Sequence, residues 1–78
     1  MQEKYEQAIK ETFEYLNECI TEQKAKNYSH LSLLKEEIIE RQMKKRGFTV
    51  KANYDALTEY IIVCPHEMNL PIHIWREK

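Results

Sequence analysis

Cys64-Pro65-His66, with His73 seven residues beyond His66, is the stretch whose residue types could do chemistry. A thiolate and two imidazoles are zinc ligands, and Cys19 or His30 would have to supply the fourth. Structural zinc sites bring two close-spaced ligand pairs, whereas this chain has one Cys-x-His and no Cys-x-x-Cys. The same thiol and imidazole could act as nucleophile and base, but that chemistry also needs an oxyanion hole and a pocket. A chain of 78 residues with one glycine has little material for either, and rigid Pro65 separates Cys64 from His66. No catalytic residue, metal or cofactor is therefore expected. Cys19 and Cys64 read as reduced small hydrophobes, which places the chain in the cytoplasm.

A second constellation is basic. Arg41, Lys44, Lys45 and Arg46 fall within one helical stretch ahead of a hairpin-like pattern, the arrangement of a winged-helix nucleic-acid binder. Glu36, Glu37 and Glu40 share that helix, however, and would approach the phosphates together with the bases. The whole chain has 12 Lys and Arg against 13 Asp and Glu, a net charge of -1 and a pI near 6.3, without the basic footprint of such binders. The preferred reading gives the cluster to the negative end of the helix dipole and keeps nucleic-acid binding as the alternative. Residues 1–22 carry Glu3, Glu6, Glu11, Glu14, Glu18 and Glu22 against Lys4 and Lys10, so the molecule is dipolar.

The elements that position these groups follow from periodicity. Tyr5, Ala8, Ile9, Thr12, Phe13, Leu16, Cys19 and Ile20 recur at helical spacing and form one apolar stripe. Glu6 with Lys10 and Glu22 with Lys26 stand in the favourable i,i+4 order on the solvated side. Lys24 to Asn27 reads as a short polar connector. Ser29 then suits an N-cap, with Tyr28 and Leu33 as a hydrophobic staple. The second stripe is Leu31, Leu34, Ile38, Ile39 and Met43, ending at Gly47 as a left-handed C′ residue followed by Phe48 at C″.

After Gly47 the period becomes 2. Phe48, Val50, Ala52 and Tyr54 share one face of a strand, and Thr49, Lys51 and Asn53 the other. A turn around Asp55 and Ala56 leads to a central strand from Thr58 to Cys64, and Leu70 to Trp75 reads as a third strand confined to an edge by Pro71. The expected architecture is a single α+β domain over residues 1–78, α-α-β-β-β, with two N-terminal helices packed on one face of a three-stranded antiparallel meander. No signal peptide or membrane span is expected, because the longest apolar run is Tyr60 to Cys64.

Placing Tyr60, Ile62 and Cys64 toward the helices leaves Ile61, Val63, His73 and Trp75 on an uncovered outer face. An exposed apolar patch with a tryptophan marks an interface, and a domain this small has a marginal core of its own. The expected function is accordingly a small intracellular protein-interaction module without catalytic activity, an adaptor, inhibitor or accessory subunit. Its partner would be another protein or a second copy of itself, with no membrane and no small-molecule substrate. Winged-helix-like nucleic-acid binding through Arg41, Lys44, Lys45 and Arg46 is the alternative.

Overall fold

A computed structural model describes residues 2–25 and 32–77. Helix α1 spans Gln2–Ala25 and α2 spans Ser32–Lys45, followed by strands β1 (Val50–Asp55), β2 (Tyr60–Pro65) and β3 (His73–Arg76). The sheet is an antiparallel meander in the order β1-β2-β3. The architecture is therefore the expected α-α-β-β-β. The N-cap Ser29, the residues Tyr28, His30 and Leu31, and the side chains of Leu33 and Leu34 lie outside what is described. Lys24 and Ala25, expected in the connector, continue α1.

The α1 stripe is buried at Tyr5, Ala8, Ile9, Thr12, Leu16 and Ile20, with Phe13 and Cys19 half-buried. It meets Ile39 and Met43 of α2, where the Thr12 hydroxyl lies 3.3 Å from the Met43 sulfur. The α2 terminus is a Schellman motif: the Phe48 N–H donates to the Met43 carbonyl at 2.9 Å and the Gly47 N–H to that of Lys44 at 3.0 Å. Gly47 has φ of 91°, and a Cβ there would meet nothing within 4 Å, so the cost of adding one is backbone strain. Gly47→Val should lower stability by about 1–2 kcal/mol, and Gly47→Asn by less because Asn tolerates the left-handed region. Paired thermal melts check this ordering, and equal melting temperatures for the two variants would contradict it.

The sheet corrects one expectation. Ile61 and Val63 are both fully buried and Trp75 is 4% exposed, so these residues form the core, while Tyr60, Ile62 and Cys64 take the outer face. The register explains why, since Ala52 pairs with Val63, Tyr54 with Ile61, and Ile61 with Trp75, and directly opposed residues share a face. Val50 and Ala52 are inward by their own alternation and carry Val63 and Ile61 with them. Strand limits shift as well. β2 begins at Tyr60, after a turn of four residues from Ala56 to Glu59, and β3 begins at His73 because Pro71 offers no N–H to a ladder. Leu70, expected in the third strand, is instead a buried loop residue.

Candidate functional site

Each sequence-derived candidate can now be placed. Val63 and His73 are directly opposed and share the inner face, whereas Cys64 points outward beside Lys51, so Cys64 and His73 lie on opposite sides of the sheet. His66 is exposed in the following loop. Among the described residues no group of three His, Cys, Asp or Glu side chains is arranged to hold a metal ion. Cys19 and Cys64 are unbridged and half-buried.

The basic residues divide into two kinds. Arg41 Nη2 meets Glu37 Oε1 one turn away at 2.6 Å, and Arg46 donates to the Gln42 carbonyl and side chain and lies 3.7 Å from Glu11 of α1. Lys44 and Lys45 stay exposed in the last turn of α2, at the negative end of its dipole. The four side chains thus present two engaged guanidiniums and two exposed ammoniums.

Of the four residues expected on an exposed binding face, three are core, and His73 is half-buried. Its ring stands 5.4 Å from that of Tyr5, which meets Phe48 edge-on at the same separation. The Tyr5 hydroxyl and His73 Nδ1 are both buried without a hydrogen-bond partner. Burial, and secondarily the negative charge of an ionised Cys64, raise the Tyr5 phenol above its ordinary 10.0. The folded chain therefore holds that proton more tightly than the unfolded chain. Its contribution to stability is present in full below about pH 10 and lost as pH climbs through the raised folded value. Tyr5→Phe removes an unsatisfied hydroxyl and should leave stability at neutral pH equal or about 1 kcal/mol higher. The variant should also lose less stability than wild type between pH 9 and 11, which denaturant titrations at several pH values can measure; parallel losses would be the contrary result.

Trp75 is fixed from both helices. Its Nε1–H donates to Asn17 Oδ1 at 3.2 Å, and the Lys35 ammonium sits 5.3 Å from the ring centroid while pairing with Glu77 at 3.3 Å. Lys35 is itself nearly buried and borders a polar depression of about 700 Å³ with Tyr54, Tyr60 and Arg76. Its cation is already engaged by Glu77 and Trp75 in that depression.

Among the described residues no element covers the outer sheet face, where Tyr60, Ile62 and Cys64 are half-buried and Ile74 is 56% exposed. Ile72, just before β3, is 61% exposed. This combination escaped the sequence reading because it depends on the inverted register. The two sheet edges also differ. The His66 N–H donates to the Thr49 carbonyl at 3.0 Å, which marks Thr49 and His66 as a hydrogen-bonded pair. Such pairs alternate along an antiparallel ladder, so Lys51, Asn53 and Asp55 turn their backbone groups toward β2, and Ala52 turns outward. The outward Ala52 N–H is taken by the Glu40 carboxylate of α2 at 2.9 Å, so α2 satisfies the central outward donor of the β1 edge.

The same alternation makes Ile61 with Trp75 and Val63 with His73 the hydrogen-bonded pairs of the second ladder. The N–H and C=O groups of Ile74 and Arg76 then point away from the sheet. Beside that edge runs a groove of about 480 Å³ between α1 and β3, with Ile9, Phe13 and Trp75 along its floor. Glu6, Lys10 and Glu14 of α1 and Arg76 of β3 rim it; all four are exposed, and none has an ion-pair partner among the described residues. The expected Glu6 to Lys10 pair is thus not formed. No described helix is long and apolar enough to cross a membrane. Compared with family models, curated proteins and solved structures, the chain matches none.

Proposed function

We propose that the chain is a non-catalytic intracellular protein-interaction module that binds an extended backbone segment along β3. An added strand would pair with the outward groups of Ile74 and Arg76 and lay alternate side chains into the groove beside α1. The observation that carries this reading is the asymmetry of the edges. Glu40 caps the outward N–H of Ala52 on β1, whereas β3 presents its backbone beside exposed Ile72 and Ile74 and an apolar floor. An unprotected edge next to apolar side chains is a template for a further strand. Adaptor, inhibitor and accessory-subunit roles all use such a surface. Nucleic-acid binding through Arg41, Lys44, Lys45 and Arg46 has less support, because both guanidiniums are held by groups of the chain itself.

Selection of displayed random peptides on the immobilised chain tests the proposal, with Ile74→Pro as comparison. Proline removes the outward N–H at a position that donates to no neighbour within the sheet, so the fold should tolerate it. Apolar, strand-forming sequences enriched by wild type and lost with a folded Ile74→Pro variant support strand addition. Enrichment that survives in Ile74→Pro, or peptides that select for the basic end of α2, would overturn it.

A further inference from the structure

We draw no further inference here: the strongest candidate, the apolar patch of Ile62 and Ile74 on the outer sheet face together with the adjoining β3 edge, carries nothing further because nothing in the structure shows what covers it.

Discussion

Replacing Trp75 by alanine is expected to leave most of the chain unfolded at physiological temperature. The side chain is 4% exposed and is held by Asn17 and by the Lys35 ammonium. Truncating a buried aromatic of this size costs about 3–5 kcal/mol. Marginal domains hold roughly 0.05–0.15 kcal/mol per residue, so for a chain this short the loss is comparable with the whole stability. Asn17 would also lose the donor it accepts from. Trp75→Phe, which keeps most of the apolar volume but not the N–H, should fall between the two. Far-UV circular dichroism with thermal melting decides the matter. If Trp75 were an exposed anchor for a partner, the alanine variant would melt within a few degrees of wild type, and that outcome would refute the core assignment.

The structure separates what periodicity can specify from what it cannot. A 3.6-residue stripe fixes the buried side of α1 without help from other elements, and Tyr5, Ala8, Ile9, Thr12, Leu16 and Ile20 are all buried as that stripe requires. Gly47 is equally legible, since a Schellman terminus needs a residue at ease with φ of 91°, and the chain has one glycine to offer. β1 declares its own inward face through Val50 and Ala52 against Lys51 and Asn53.

β2 has no such phase. Tyr60, Ile61, Ile62, Val63 and Cys64 are apolar at every position, so alternation within the strand cannot choose a side. The choice passes to the turn, and there one residue decides it. Strands ending at Tyr54 and resuming at Thr58 enclose three residues and would set Ala52 opposite Tyr60, turning Tyr60 and Ile62 inward. The observed turn encloses the four residues Ala56 to Glu59, closes on the pair Asp55 and Tyr60, and turns Ile61 and Val63 inward instead. Nothing in the sequence marks the longer turn, because its left-handed position, φ of 61°, is filled by Glu59 and not by glycine or asparagine. The proposed interaction surface inherits this illegibility. An uncovered sheet face and an edge strand beside Pro71 are readable from the sequence. The identity of the outward residues, and the groove that α1 forms with β3, require the register first.

The register makes a second large effect specific to one of two adjacent isoleucines. Ile61 is fully buried between Tyr54 and Trp75, whereas Ile62 lies half-buried on the outer face between Asn53 and Ile74. Ile61→Asn removes core volume and buries an amide among side chains that offer it no partner, for a combined cost of about 4 kcal/mol or more. Ile62→Asn puts the same amide where water reaches it, and should cost no more than about 1 kcal/mol through lost β-propensity and partial burial. The two substitutions are chemically identical and one residue apart, so composition, length and strand membership cancel in the comparison. Denaturant titration of both variants in parallel with wild type measures the difference. An unfolded Ile61→Asn beside a folded Ile62→Asn is the expected pair of results. The reverse order would mean that β2 is paired one residue out of step, and the outward placement of Ile74 on which the edge surface depends would fail with it.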